Sequence, residues 1–98
     1  MKIQETLEDL LDQNNILFQS ETENLSAYQM NFLKAIVDGI HTKFSSKEVI
    51  SKYYLGTSAN IVRLKNALLQ KELIETNGKE IVLADPVFGV WFKKEMLY

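Results

Sequence analysis

The sequence predicts an α+β domain that is mostly helical and carries one β-hairpin near its C-terminal end. Apolar residues recur at helical spacing in several separate stretches. A single Asn-Gly pair marks a tight hairpin turn. With 98 residues and 46% apolar content, the chain suits one small hydrophobic core. We expect residues 1–24 to form an N-terminal helix and linker, and residues 25–98 to form the main body.

The first predicted helix lies at the start of the chain. Its apolar stripe consists of Ile3, Leu7, Leu10 and Leu11, and its other face is acidic. The stripe predicts a helix that ends near residues 13–15 or frays toward Phe18. The polar stretch 19–26 has no apolar pattern, which predicts a loop.

The central core helix is predicted from Ala27 onward. Its apolar residues at helical spacing are Tyr28, Phe32, Leu33, Ile36, Val37 and Ile40. Gly39 lies where a helix would end, because glycine is favoured just past a helix C terminus.

The next helix start has the clearest signal in the chain. Ser45 as N-cap and Glu48 three residues later match a capping box, and Phe44 with Val49 matches a hydrophobic staple. The pattern predicts a helix from Ser46 to about residues 53–54.

A second helix follows after a glycine turn. Gly56 supplies the turn, and Thr57 or Ser58 caps a helix that reaches about Lys71. This helix-turn-helix pattern places a candidate recognition helix at about 58–71.

The β-hairpin and the terminal helix are the last elements that the sequence predicts. A two-residue Asn-Gly loop predicts the cross-strand pairs Thr76–Lys79, Glu75–Glu80 and Ile74–Ile81. Asp85 is the expected cap of a last helix, and Pro86 its first residue. This order of elements predicts a winged helix-turn-helix: a three-helix core with a two-stranded β-wing, plus an extra helix at each end.

Three phrases within residues 25–95 carry a resemblance to a known family: LSAYQMNFLKAI, LGTSANIVRLKNALLQKELI and DPVFGVWF. Together they resemble the C-terminal winged-helix domain of archaeal-type P-loop ATPases, AAA-like proteins that are also numerous in Bacteroides-type bacteria. Residues 1–19 resemble the last helix of the lid that precedes this domain. The resemblance implies that the chain is a C-terminal piece of a longer ATPase. Its partners would then include the ATPase domain or a second copy.

The charge distribution favours a nucleic-acid partner for the helix-turn-helix. The whole chain has a net charge of −2. Residues 41–71 nevertheless carry six Lys or Arg against one Glu, and residues 1–40 carry two Lys against seven acids. The positive charge therefore coincides with the candidate recognition helix, which predicts contact with double-stranded DNA.

A helical wheel predicts which side chains would contact DNA. Two inward stripes are expected: Ile61, Leu64 and Leu68, and next to them Val62, Leu69 and Leu73. The predicted DNA-binding residues are Asn60, Arg63, Asn66, Gln70 and Lys71 on the recognition helix, and Lys47 and Lys52 on the helix before it. Arg pairs with guanine, Asn or Gln with adenine, and Lys with phosphate. The same residues equally suit a solvated helix face, and the wing carries Glu75 and Glu80.

Aromatic residues supply the alternative, a protein-interaction or interdomain module without nucleic-acid contact. Phe88, Trp91 and Phe92 would form a docking surface for the ATPase domain or a second copy, or would instead pack on the core and the first helix. Tyr54 is expected to be buried support for the turn.

No enzymatic chemistry is predicted. The chain has no phosphate-binding G-x-x-x-x-G-K-[ST] loop, no nucleophile with a base, and no cysteine. His41 is the only histidine, so neither a metal site nor a cofactor is expected. The absence of an export signal and of a long apolar run predicts a soluble cytoplasmic protein with no membrane contact. The resemblance to the ATPase C-terminal domain implies a regulatory role.

Overall fold

Five helices and one β-hairpin form the structure, a computed structural model that describes the backbone of residues 3–96 and the side chains of Asp9 and residues 11–96. The elements in order are α1 (Ile3–Glu23), α2 (Ala27–Val37), α3 (Lys47–Tyr53), α4 (Ser58–Gln70), β1 (Ile74–Asn77), β2 (Glu80–Leu83) and α5 (Pro86–Met96). Every helix and both strands contribute buried apolar side chains to one core. The predicted α+β winged helix-turn-helix with a helix at each end is confirmed.

Helix α1 is longer than predicted. It continues through residues 19–23, where a loop was expected. Phe18 and Thr22 are buried one turn apart, and the Thr22 hydroxyl donates to the Gln19 carbonyl at 3.0 Å. Tertiary packing therefore extends the helix through a polar sequence that lacks an obvious apolar stripe.

The buried face of α1 joins the common core. Leu11 of the predicted stripe is buried, whereas the side chains of Ile3, Leu7 and Leu10 lie outside the described residues. Since Leu11 and Phe18 belong to the core, residues 11–23 pack with the main body. The division of the chain at residue 24 stays a prediction.

Helix α2 begins with a complete capping box. The Ser26 hydroxyl accepts from the Gln29 backbone N–H, and the Gln29 side chain accepts from the Ser26 N–H. Phe32, Leu33 and Ile36 are buried, as the pattern predicts. Tyr28 is an exception, because the first turn of α2 projects beyond the core and leaves its side chain 48% exposed.

The start of α3 differs from the prediction by one residue. Ser46, rather than Ser45, is the N-cap, and its hydroxyl accepts from the Val49 backbone N–H at 3.3 Å. Glu48 is therefore one position too early for a capping box. Phe44 stacks on Phe32 with ring centroids 4.6 Å apart, so it anchors this loop to α2 instead of forming the predicted staple.

The wing has a different register from the one predicted. The strands pair as Ile74–Leu83, Glu75–Val82, Thr76–Ile81 and Asn77–Glu80, which makes Gly78 and Lys79 the loop. Gly78 has a φ of 63°, as glycine at the first loop position of a type II′ turn requires. The shift by two residues keeps Ile74 and Ile81 buried and removes the predicted contact between Glu75 and Glu80.

A third segment joins the wing at its inner edge. The Ile81 N–H donates to the His41 carbonyl at 2.8 Å, and the His41 ring Nδ1 lies 3.0 Å from the Ile81 carbonyl. Because a carbonyl oxygen only accepts, Nδ1 carries the proton in this contact. The two bonds attach the wing to the segment that follows α2.

Helix α5 packs over one side of the core. The Asp85 carboxylate accepts from the Val87 N–H at 2.9 Å, and Pro86 is the first helical residue, as predicted. Phe88 and Trp91 contact Phe18 of α1 with ring centroids 5.2 and 5.5 Å away. We call Phe18, Phe88, Trp91 and Phe92 the aromatic cluster.

Removing Phe18 from the aromatic cluster is expected to destabilise the whole domain. We predict that Phe18→Ala lowers the free energy of unfolding by about 3–5 kcal/mol, because it leaves a cavity between α1 and α5. Ile16→Ala is the matched control on the same helix. Ile16 is 80% exposed, so its loss is expected to change stability by less than about 0.5 kcal/mol. Urea unfolding followed by circular dichroism measures both, and equal stability of the two variants would contradict the packing of α1 described above.

The polar contact between α1 and α5 gives a second prediction. The Trp91 indole N–H donates to Asn15 Oδ1 at 2.7 Å at a partly buried site. Asn15→Ala is expected to cost about 1–3 kcal/mol, because the indole N–H loses its acceptor. A double-mutant cycle with Trp91→Phe isolates this contact. A coupling energy indistinguishable from zero would show that the hydrogen bond does not stabilise the fold.

Candidate nucleic-acid interface

The turn between α3 and α4 sets the orientation of the candidate recognition helix. Tyr54 ends α3 in the left-handed conformation, with φ 55° and ψ 56°. The chain then buries Leu55 completely and turns at Gly56, whose φ is 90°. Thr57 is the N-cap of α4, and its side chain makes no capping hydrogen bond.

One face of α4 is fixed by the core. Ile61, Leu64 and Leu68 are buried, as the helical wheel predicts. The second predicted inward stripe is only partly correct: Leu73 is buried and Leu69 is half-buried, but Val62 is 60% exposed. The burial of Ile61 and Leu64 directs the opposite face of the helix toward solvent.

The outward face of α4 carries most of the predicted DNA-binding side chains. Arg63, Asn66 and Gln70 are exposed within α4, and Lys71 is exposed at its C-cap. Arg63, Asn66 and Gln70 are spaced three or four residues apart, so they lie along one side of the helix. This arrangement offers guanidinium and amide groups in a row that suits base edges.

Asn60 has a structural role that the sequence did not predict. Its side chain is half-buried, and Nδ2 donates to the Leu55 carbonyl at 2.9 Å. Bidentate pairing with adenine uses both the amide nitrogen and the amide oxygen. One of the two amide hydrogens is therefore used in the turn, so Asn60 stabilises the turn, and its contact with a base stays a prediction.

The predicted phosphate-binding lysines lie on α3. Lys47 is exposed in the first turn and Lys52 in the last. The Lys52 amine lies 5.5 Å from the centre of the Tyr53 ring, within range of a cation–π contact. Together with Arg63, these cations give the helix-turn-helix a positive surface.

The two adjacent tyrosines at the end of α3 have opposite environments. Tyr53 is buried, and its hydroxyl donates to Asp38 Oδ2 at 3.0 Å. Tyr54 is 76% exposed, so the prediction that it supports the turn from within is wrong. The left-handed backbone at residue 54 turns the next side chain, Leu55, into the core, and the Tyr54 ring is left outside. Sequence reasoning also missed the exposed ring of Tyr28.

The predicted protein-interaction residues are inside the domain. Phe88 and Trp91 are 2% exposed and Phe92 is 1% exposed. The prediction that they form a docking surface is therefore wrong for this structure. Their apolar area packs on the core and on α1, where Phe18 contacts Phe88 and Trp91.

An acidic cleft lies on the side of α1 and α5. Its volume is about 200 Å³, and Glu21, Glu72 and Asp85 line it. Burial raises the pKa of Glu21, and the negative charge of Asp85 raises it further. Within the described residues, no group of three or more His, Asp or Glu side chains is arranged to hold a metal ion.

The helices, turn and wing together define the class of winged helix-turn-helix proteins. Comparison with known families agrees with this assignment. The family described as "Probable winged helix domain" matches residues 16–94, and the chain belongs to that family. Neither the search of curated proteins nor the search of solved structures found a match.

Winged-helix domains are generally non-enzymatic, and membership of this family is compatible with a DNA-binding or regulatory module. The match begins at residue 16, so it includes the second half of α1. None of the helices within residues 3–96 is long and apolar enough to cross a membrane.

The contact between Tyr53 and Asp38 yields a pH-dependent prediction. Burial raises the pKa of Tyr53 above its ordinary value of 10.0, and the hydrogen bond and charge of Asp38 raise it further. The folded state thus favours the protonated phenol. Its contribution is complete below the unfolded pKa of about 10 and is lost as the pH rises through the folded pKa.

We therefore expect Tyr53→Phe to lower the free energy of unfolding by about 1 kcal/mol at neutral pH. The difference from wild type should shrink as the pH rises from neutral to above the unfolded pKa of about 10. Urea unfolding of both proteins across this range measures it, and the comparison cancels the titration of lysines and other tyrosines. A difference that stays constant with pH would contradict a role for the Tyr53 proton.

Proposed function

We propose that this domain binds double-stranded DNA by inserting α4 into the major groove, with α3 lying against the phosphate backbone. The single observation that carries the proposal is the exposed row of Arg63, Asn66 and Gln70 on a helix whose opposite face is fixed in the core. A rigid helix with such a row meets the geometric requirement for direct readout.

The charges around the row support this orientation. Lys47, Lys52 and Lys71 are exposed on the helix-turn-helix, where they are positioned to neutralise phosphates. The wing is less suited to contact the backbone, because Glu75 and Glu80 are exposed and Lys79 is its only cation. We therefore assign binding to α3 and α4 rather than to the wing.

We further propose a place for the domain in a larger protein. The phrases LSAYQMNFLKAI, LGTSANIVRLKNALLQKELI and DPVFGVWF support a position at the C terminus of an archaeal-type, AAA-like P-loop ATPase. In that arrangement the domain is a cytoplasmic regulatory module, and nucleotide hydrolysis belongs to a different domain. The ATPase domain and a second copy of the protein are then its additional partners.

An alternative function is a protein-interaction or interdomain module with no nucleic-acid contact. The observation that favours it is an apolar groove of about 420 Å³ between the end of α2, β2 and α5. Val37, Leu83, Pro86 and Val90 line this groove, which lies apart from α3 and α4. Absence of DNA binding at low salt would favour this alternative.

Fluorescence anisotropy with a labelled mixed-sequence duplex tests the DNA proposal. We expect binding that weakens steeply between about 50 mM and about 200 mM salt, because bound cations are released from the DNA. Lys47→Ala should weaken binding to all duplexes and reduce the salt slope by about 1. Lys93→Ala, which removes one positive charge from α5, is the matched control and should bind like wild type.

A selected high-affinity duplex then tests base readout. In the double variant Arg63→Ala/Asn66→Ala, each substitution should cost about 1–3 kcal/mol of binding free energy and should relax the sequence preference. Unchanged affinity of the double variant would move the binding site away from α4. A wild-type domain that does not bind even at low salt would refute the proposed function.

A further inference from the structure

Two exposed tyrosines flank the turn that precedes α4. Tyr28 comes from the first turn of α2 and is 48% exposed, and Tyr54 comes from the end of α3 and is 76% exposed. Both line a cleft of about 320 Å³, together with Ile50, Ser51 and Gly56. Residues that are distant in sequence therefore present two phenol rings to one opening beside the recognition helix.

The backbone of Tyr54 makes its exposure notable. The left-handed conformation costs a residue with a side chain about 1–2 kcal/mol and is usually taken by glycine or asparagine. The turn needs this conformation to bury Leu55, and Asn31 Nδ2 supports it by donating to the Tyr54 carbonyl at 3.3 Å. Packing does not require an aromatic ring here, because the ring is outside the core. An unfavourable residue held in a supported turn is a candidate for a binding role.

Tyr28 is positioned on the other side of the turn. A side chain at Gly56 would place its Cβ 3.6 Å from Cε1 and Cζ of Tyr28, so the hydroxyl-bearing end of the ring lies over Gly56. A second cleft of about 230 Å³ continues from Tyr28 past Thr57 to Arg63. Tyr28 thus links the cleft beside Tyr54 to the exposed row on α4.

The chemistry of these clefts suits a polyanion. Among the residues that the structure describes, no acidic side chain lines either cleft, and Arg63 lies at the end of the second one. Lys52 is exposed on the same short helix that ends at Tyr54. Tyrosine hydroxyls are frequent hydrogen-bond donors to DNA phosphates, where they fix register without reading sequence.

We propose that Tyr28 and Tyr54 contact the sugar-phosphate backbone of the DNA strand that borders the groove occupied by α4. Each phenol donates to a phosphate oxygen, one on either side of the Gly56 turn. The inference rests on the proposed DNA-binding function and adds neutral contacts that the lysines and arginine do not provide. It also gives a physical reason for an aromatic residue at a left-handed position.

Tyr28→Phe and Tyr54→Phe test this proposal, since each removes one hydroxyl and keeps the ring. Anisotropy with the mixed-sequence duplex is expected to show about tenfold weaker binding for each variant. The loss should be equal on different duplex sequences. The salt slope should match that of wild type, because a neutral phenol releases no counterion. Thr76→Val, which removes a hydroxyl from the exposed wing, is the matched control and should bind like wild type.

The outcomes separate this inference from the function on which it rests. If wild type binds DNA and both tyrosine variants bind equally well, the backbone contact is refuted and the proposed function stands. If the variants change sequence preference or the salt slope, the tyrosines do not act as neutral phosphate donors. If wild type binds no DNA at low salt, the proposed function fails and this inference fails with it.

Discussion

The contact of Phe18 with Phe88 and Trp91 is the constraint on which the other packing depends. It joins the first and last helices of the domain at ring-centroid distances of 5.2 and 5.5 Å. Held in this way, α5 packs against α2 and β2, and α2 in turn packs against α3 and α4. The orientation of the exposed row on α4 therefore depends on α2, which is itself packed against α5. A shortened domain without α1 would lose Phe18 from the aromatic cluster, and Phe88 and Trp91 of α5 would lose this contact.

The sequence predicts which helices and strands form more accurately than it predicts the residues at which they begin and end. Local chemistry was sufficient where one residue decides the outcome, as with Gly56 in the turn and Pro86 at the start of α5. It was insufficient where two adjacent residues offer the same group, and Ser46 rather than Ser45 became the cap. The wing register shifted by two because Asn77 is able to end a strand as well as to begin a loop, and either choice keeps Ile74 and Ile81 buried. The predicted α1 was too short because its last turns depend on tertiary packing that buries Thr22, which no local pattern reveals.

For the candidate site, the helical wheel identified the exposed face of α4 because Ile61 and Leu64 fix the buried one. It did not show that the Asn60 amide has a local partner in the turn, because periodicity does not report such a hydrogen bond. The prediction that Tyr54 is buried was wrong, since a seven-residue helix contains too few turns to show which of the adjacent tyrosines faces the core. The terminal aromatic residues were ambiguous for a related reason: their burial depends on contacts with Phe18 of α1, which is distant in sequence. Each failure concerns a contact between segments that are separate in sequence or a hydrogen bond outside the helix.

Within residues 3–96, three residues other than glycine have positive φ: Lys43 before α3, Tyr54 after it and Glu72 after α4, at 58°, 55° and 61°. All three are exposed and lie where the chain changes direction between elements. Glycine and asparagine adopt this conformation at lower cost. Replacing Lys43 or Glu72 by either residue would relieve strain and remove a surface charge. Replacing Tyr54 would relieve the same strain but remove the phenol that we propose contacts DNA, so stability and the proposed binding favour different residues at this one position.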